Sequence, residues 1–321
     1  MPDTKPTVAV LTALSLEYSA VRAHLTDLRK REHRRGTRAE VGRLPGTPWS
    51  VALVEMGEGN LTAAALTERV MSWLEPEAVF FVGVAGGLKS DIALGDVVVA
   101  TKVYAVHGGK EAPEGFLVRP EAWRASHRLA AAARDALRDD PRAHLKPVAA
   151  GDVVLAAAGS DVAERLRRNY NDAAAIEMEG SGVVSAVHLA GGDALVIRGI
   201  SDRADGDKSR ADGEGWQRRA AASAAAAVVA VLRLLRPFGG RTAAASRGSE
   251  DSEEGPHREP RSGGDHVGFR GNTFHGPVIA AQVGRRRGGE RKQLGTGASS
   301  WPGTSGYCCA AGSACGVHGA G

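Results

Sequence analysis

Up to Pro237, short apolar runs alternate regularly with Ala-rich stretches of helical period, and this pattern constrains the fold more than any other feature. The apolar runs fall at residues 7–13, 49–54, 78–82, 96–101 and 194–197. They have the length of strands rather than of buried helices. Between them, residues 15–28 place Leu16, Ala20, Val21 and Leu25 on one helical face. Asn60 stands where a helix reaching Leu74 needs its N-cap, and Pro76 stops that helix. Residues 217–235 read as a long Ala-rich helix. Strands alternating with helices predict an α/β domain: three layers, α/β/α, on a central, mostly parallel mixed sheet. Ligands of such sheets bind at the carboxyl ends of the strands.

After Pro237 the composition changes to Gly, Arg, Ser and Glu without periodicity, as in Arg247 to Gly255 and Gly295 to Ser300. Such a segment has too little clustered apolar surface to offset its chain entropy. The expected organisation is therefore one domain, residues 1–237, and a low-complexity, disordered tail, residues 238–321. Cys308, Cys309 and Cys315 all lie in that tail, so no disulfide frame supports the domain, which suits a reducing cytoplasm. With His318 they are zinc-ligand types, but their spacing fits no familiar knuckle, and neither metal nor cofactor is expected. The formal net charge of +4, from 41 basic and 37 acidic residues, is too mild for a nucleic-acid binder. Arg29-Lys30-Arg31, Arg34-Arg35 and Arg285-Arg286-Arg287 lack interleaved aromatics and read as solvated loops. No apolar run approaches the roughly 18 residues of a membrane span. The stretch 7–16 runs into Glu17 with no small-residue cleavage site, as a buried strand does and a signal peptide does not.

Four clusters can carry chemistry. Gly83-Val84-Ala85-Gly86-Gly87 follows an apolar strand, where glycines let the backbone approach a ligand and present its amides. No Gly-Lys-Ser/Thr follows, so it is not a phosphate loop of the Walker kind. Gly57-Glu58-Gly59 opens a helix but lacks the third glycine of a dinucleotide fingerprint. Each glycine cluster alone also fits a tight turn. In Ile176-Glu177-Met178-Glu179-Gly180 two carboxylates sit where a strand gives way to a helix, as ligands for a substrate or as acids that favour the helix dipole. In Arg198-Gly199-Ile200-Ser201-Asp202, Asp202 either faces a cleft, caps the next helix or pairs with Arg203. Glu17, just past the first strand, is either drawn into the cleft or is an ordinary exposed helix residue.

Taken in order, Thr12 to Glu17, Gly57 to Ala64, Gly83 to Leu88, Gly95 to Val99, Ile176 to Gly180 and Arg198 to Asp202 resemble the nucleoside phosphorylase superfamily. Within it they resemble the methylthioadenosine/S-adenosylhomocysteine nucleosidases. The resemblance covers residues 7–235 and nothing of the tail. It implies an N-ribosyl hydrolase acting on a purine nucleoside or derivative, thioether nucleosides and nucleotides included. Glu17 matches the carboxylate that activates the attacking water. Glu179 matches the one that grips the ribose hydroxyls, and Met178 the side chain beside the sugar. Asp202 matches the acid that protonates the purine, with Ser201 and Arg198 positioning it. Glu177, Val84, Gly86 and Val154 complete the expected substrate contacts. An oxocarbenium-like transition state needs an acid on the leaving base and a base for water, and two distant carboxylates at strand ends supply both. Family members commonly complete their pockets across a homodimer.

The chain departs from the family twice. Phosphorylases of the superfamily hold phosphate with an arginine two residues before the first glycine of the loop; here that residue is Phe81, which cannot pair with an oxyanion. Water is thus the expected nucleophile. A phosphorylase would need a substitute phosphate site, with Lys102, His107 and Arg119 as candidates. Secondly, the nucleosidases stack the purine on an aromatic after a Gly-Asp pair, whereas Gly151-Asp152 leads into Val153, Val154 and Leu155. Val154 packing is the expected substitute. A nucleoside-sensing or effector module is the reading from another class, but binding alone has no use for an acid at Asp202.

Overall fold

The computed structural model describes residues 6–238 except 156, 158, 206 and 207. Its first half runs through β1 (Thr7–Thr12), α1 (Ser15–Arg22), the hairpin of β2 (Thr26–Glu32) and β3 (Arg38–Arg43), β4 (Ser50–Glu55), α2 (Asn60–Leu74) and β5 (Val79–Gly87). Then come β6 (Val97–Ala105), a small hairpin of β7 (Gly109–Ala112) and β8 (Gly115–Val118), β9 (Glu121–Arg124), α3 (His127–Ala136) and β10 (Ala143–Ala150). The last part holds α4 (Asp161–Asn169), β11 (Ala175–Glu177), α5 (Gly180–Leu189), β12 (Ala194–Asp202), α6 (Lys208–Gly213) and α7 (Trp216–Leu234).

The main sheet has the order β11-β10-β6-β12-β5-β1-β4-β3-β2, with β9 paired to β6. It is mixed: β4, β1, β5 and β12 run parallel, as do β6, β10 and β11. Antiparallel pairing joins β12 to β6 and adds the β2–β3 edge. β11 also pairs antiparallel with β5, through Ala175–Gly87 and Ile176–Gly86. The sheet therefore closes on itself through β5, β12, β6, β10 and β11.

The apolar runs are continuous because both faces are covered. Val8, Val10 and Phe80 pack with Val21, Leu129, Val228 and Leu232 on the side of α1, α3 and α7. Their sequence neighbours Ala9, Leu11 and Phe81 pack with Ala63 and Val70 of α2 and Val183 and Val187 of α5 on the other. This is the period-two alternation of a strand between two helix layers. Phe80 and Phe81 are completely buried, each contributing roughly 1.5–3 kcal/mol by transfer from water. The three layers expected from the sequence are present.

Several boundaries differ from expectation. α1 stops at Arg22 instead of reaching residue 28; Leu25 and Leu28 still pack on the core, from the turn that follows and from β2. The chain turns at Asp27 (φ 55°) into β2. Arg29-Lys30-Arg31 accordingly lie on a strand, exposed at the sheet edge, where charges deter pairing with another chain. β5 continues through the Gly83–Gly87 segment, since neighbours on both sides keep that backbone extended. β12 likewise runs to Asp202, so Arg198 through Asp202 is strand and not a turn after it. Asn60 does not cap α2; the N-cap is Gly59, and the Asn60 side chain points elsewhere. Pro76 does follow a helix end, closed by Glu75 in the left-handed conformation.

No helix among the described residues is long and apolar enough to cross a membrane. None of their His, Cys, Asp and Glu side chains form a group of three or more suited to a metal. The cysteines with His318, and the Arg285–Arg287 run, lie outside the described residues, as does the expected tail from residue 239 onward.

Candidate active site

At the carboxyl ends of β1, β5, β11 and β12 a cleft of about 160 Å³ opens, the place where ligands of such sheets bind. Glu17, Val84, Gly86, Val154, Glu177, Met178, Glu179, Ser201 and Asp202 all line it. The structure thus gathers side chains that lie up to 185 positions apart in the chain. Arg198 is the exception, lying beneath the floor.

Glu17 is 2% exposed, in the first turn of α1. Its Oε2 accepts the amides of Ala13 and Leu14, each at 2.9 Å, and its Oε1 accepts that of Val84 at 2.7 Å. Three backbone donors fix its direction. Burial nevertheless raises its pKa, against the opposing pull of Arg198 and those amides. A carboxyl with raised proton affinity is suited to take a proton from water. Gly83 leaves room for it: a Cβ there would fall 2.4 Å from Glu17 Oε1 and 2.1 Å from Arg198 Nη1.

The two acids of Glu177-Met178-Glu179 divide the roles that the sequence left open. Glu177 accepts the amides of Glu179 (3.1 Å) and Gly180 (2.9 Å), so it is the acid seated on the α5 N-terminus. Its Oε2 also pairs with Arg198 Nη2, both side chains being almost wholly buried. Expected as a substrate contact, Glu177 lines the cleft with its oxygens already engaged. Arg198 was expected to position Asp202; the partner the structure gives it is Glu177, and its guanidinium lies 3.8 Å over the Phe81 ring. Glu179 faces the cleft, held by the Gly59 amide at 2.9 Å. Gly57 (φ 79°) and Gly59 (φ 97°) make that turn in conformations side chains disfavour.

Burial pushes the Glu179 pKa from 4.5 up to about 7. The folded chain then holds this proton more tightly than the unfolded one. The stability it lends is complete below about pH 4.5 and is lost as pH rises through 7, about 3 kcal/mol in all. Glu179→Gln should therefore raise stability at pH 8 by up to that amount and change it little at pH 4.5, as read by denaturant unfolding at both pH values. Equal effects at the two would show that folding leaves the Glu179 pKa unshifted.

Asp202 ends β12 at a bulge, where the register against β5 shifts between Ile200 and Asp202. A regular strand would send Ser201 and Asp202 to opposite faces; with the bulge both line the cleft. Ser201 Oγ donates to Asp202 Oδ2 at 2.8 Å, and the Ala204 amide to Oδ1 at 2.9 Å. Arg203 instead donates to the carbonyls of Lys89 and Ile92.

The wall opposite the acids is apolar. Val153 and Val154 are 51% and 53% exposed, and Leu155 is buried beside them. Bare valines at a cleft mouth are a surface that a flat apolar ligand would cover. Sequence reasoning missed Glu58 and Gln217, which also line the cleft. Glu58 had a signal, its place between two glycines at a helix start; Gln217 had none. The substitute phosphate ligands are elsewhere: Lys102 pairs with Asp172 at 2.9 Å, His107 with Asp152, and neither these nor Arg119 line the cleft. Among the described lining residues there are five carboxylates and no Lys, Arg or His.

Fold and site together define a three-layer α/β framework with a carboxylate-lined cleft at its strand ends, and comparison with known proteins gives it a family. Residues 7–233 match the model of the phosphorylase superfamily, and the chain belongs to that superfamily. It is 28% identical over 235 residues to the 5′-methylthioadenosine/S-adenosylhomocysteine nucleosidase of Chromohalobacter salexigens, covering 71% of this chain and 97% of that one. It is 28% identical over 240 residues to the ATP nucleosidase Cap17 of Escherichia coli, covering 64% of this chain and 48% of that protein. Among solved structures, the 5′-methylthioadenosine/S-adenosylhomocysteine nucleosidase of Colwellia psychrerythraea, in complex with adenine, matches with a TM-score of 0.64 and 26% identity over 72% of this chain and 96% of that one.

Proposed function

We propose that this chain is a purine nucleosidase: it hydrolyses the N-glycosidic bond of a purine nucleoside, releasing free base and ribose. The observation that carries this reading is the gathering of Glu17, Glu179 and Asp202 around one cleft without a cation on its walls. In the proposed reaction, Asp202 in its acid form donates a proton to the imidazole-ring nitrogen of the purine. The bond from C1′ to the base breaks with its electrons going to the base. A water attacks C1′ and gives its proton to Glu17. Glu179 accepts hydrogen bonds from the ribose hydroxyls, Met178 packs beside the sugar, and Val153 and Val154 cover the base.

The same wall chemistry supports water over phosphate as the nucleophile. Phe81 is fully buried beneath Arg198, and the described lining residues offer no Lys, Arg or His to pair with a phosphate dianion. It also favours nucleosides over nucleotides, whose phosphates would find no cationic partner there. The named relatives, acting on methylthioadenosine, S-adenosylhomocysteine and ATP, frame the panel to test. Free base should be released from 5′-methylthioadenosine or another nucleoside at the same rate with and without 10 mM-scale phosphate (about tenfold above common KM values). Ribose-1-phosphate as the main product would overturn the assignment. The domain of residues 1–237 is proposed to carry the activity, so that fragment joins the assay. A homodimer is part of the proposal, supported by Leu61 and Leu189, 88% and 84% exposed on the adjoining helices α2 and α5.

A further inference from the structure

Asn60 joins the two walls of the cleft. Its side chain fills all four hydrogen-bonding positions of a carboxamide. Nδ2 donates to the Gly151 carbonyl at 2.8 Å and to Asp152 Oδ1 at 2.9 Å. Oδ1 accepts Ser181 Oγ at 2.7 Å and the Gly182 amide at 3.0 Å. The first pair of partners opens the segment that runs on into Val153, Val154 and Leu155. The second pair opens α5, directly after Met178 and Glu179. The residue before Asn60 contributes the amide that holds Glu179. The packing is tight: a Cβ on Gly182 would fall 2.1 Å from the Asn60 carbonyl oxygen. From the far side, His107 Nδ1 accepts the Asp152 amide at 2.9 Å. The Asn60 amide holds the Asp152 carboxyl below its ordinary range, although burial opposes it.

We propose that Asn60 is a positioning residue, setting the distance between the apolar wall that receives the base and the carboxylate that grips the ribose. This inference rests on the nucleosidase reading. One wall alone can hold a bound nucleoside in its ground state. The transition state needs both, because base and sugar must stay oriented while the bond between them lengthens. α2 itself does not depend on Asn60, since Ala63, Thr67 and Val70 seat the helix on the core.

Asn60→Asp separates positioning from folding. It keeps the acceptor side toward Ser181 and Gly182 and removes both donors toward Gly151 and Asp152, setting a second carboxylate against Asp152. Asn60→Ala releases both sides. In the full chain, Asn60→Asp should speed amide hydrogen exchange across residues 152–155 by about tenfold or more and leave 182–184 protected, whereas Asn60→Ala should loosen both. With 5′-methylthioadenosine as probe, Asn60→Asp should lower kcat by about 10–100-fold, the effect of a small misplacement. KM should move less than about threefold, and the pH limbs of kcat should stay in place. Unchanged exchange at 152–155, or unchanged kcat, overturns the proposal. So does a kcat loss that simply tracks a large fall in Tm in both variants. If the wild-type chain releases base from no nucleoside, the nucleosidase reading fails and the positioning role with it, while the exchange data still report whether the tie exists.

Discussion

Asp202→Asn should slow base release by about 10²–10⁴-fold, the span of a positioned general acid. The replacement keeps the shape of the side chain, and an amide can still accept from the Ala204 backbone at the Oδ1 position. It has no proton of suitable acidity for the leaving base. KM should change much less than kcat, because Glu179 and Met178 sit on another segment and continue to hold the sugar. The check is steady-state kinetics on the nucleoside that the panel selects, alongside an unfolding curve. Near-normal turnover in a folded variant would place the acid at a different residue, and the role of Asp202 would fail at its centre.

The second large effect is on stability. Arg198 and Glu177 form an ion pair with about 1% and 2% side-chain exposure, and Arg198 Nε lacks any hydrogen-bond partner. Arg198→Met keeps an apolar stem over Phe81 but leaves Glu177 as an uncompensated buried charge. Removing one partner of such a pair costs about 3–5 kcal/mol. For a domain of this size that is a fall in Tm on the order of 6–20 °C. Arg198 is also the leading influence that lowers the pKa values of Glu17 and Glu179 against burial. Its loss should raise both further, so the destabilisation should be larger at pH 8 than at pH 5. A loss under about 1 kcal/mol at pH 8 would mean that the buried pair is not what holds this floor together.

The layers of the fold were legible because the strands are covered on both faces, which leaves continuous apolar runs, and because proline and glycine punctuate the helices. The hairpin of β2 and β3 was not. Its residues are charged and mostly exposed, so no periodicity separates an edge strand from a loop. The extension of β5 through Gly83–Gly87 was hidden for a different reason. Glycine runs look like turns until the side chains that need the vacated space, Glu17 and Arg198, are brought in from distant segments. The acids of the cleft were legible as motifs, and their expected roles came from the family resemblance and not from the residues alone. Nothing in Glu177-Met178-Glu179 alone says which carboxylate seats the helix and which faces the cleft, because that depends on Arg198 of β12, which lies on the other side of β5 from β11. Asn60 was legible only as a helix start. Its partners at 151–152 and 181–182 are set by tertiary packing alone.

Closure of the sheet has a consequence for how such a site can change. Ile176, next to Glu177, and Asp202 are both register partners of Gly86, one on each side of β5. The proposed acid and the segment proposed to hold the sugar are thereby indexed to a single backbone position by the strand ladder. The wall at Val153–Leu155 and the turn at Glu58 belong to connecting segments outside that ladder. Loop substitutions can therefore reshape what the cleft admits while the proton-transfer geometry stays fixed. A scaffold divided in this way can pass one bond-breaking step from one nucleoside to another by exchanging loops alone.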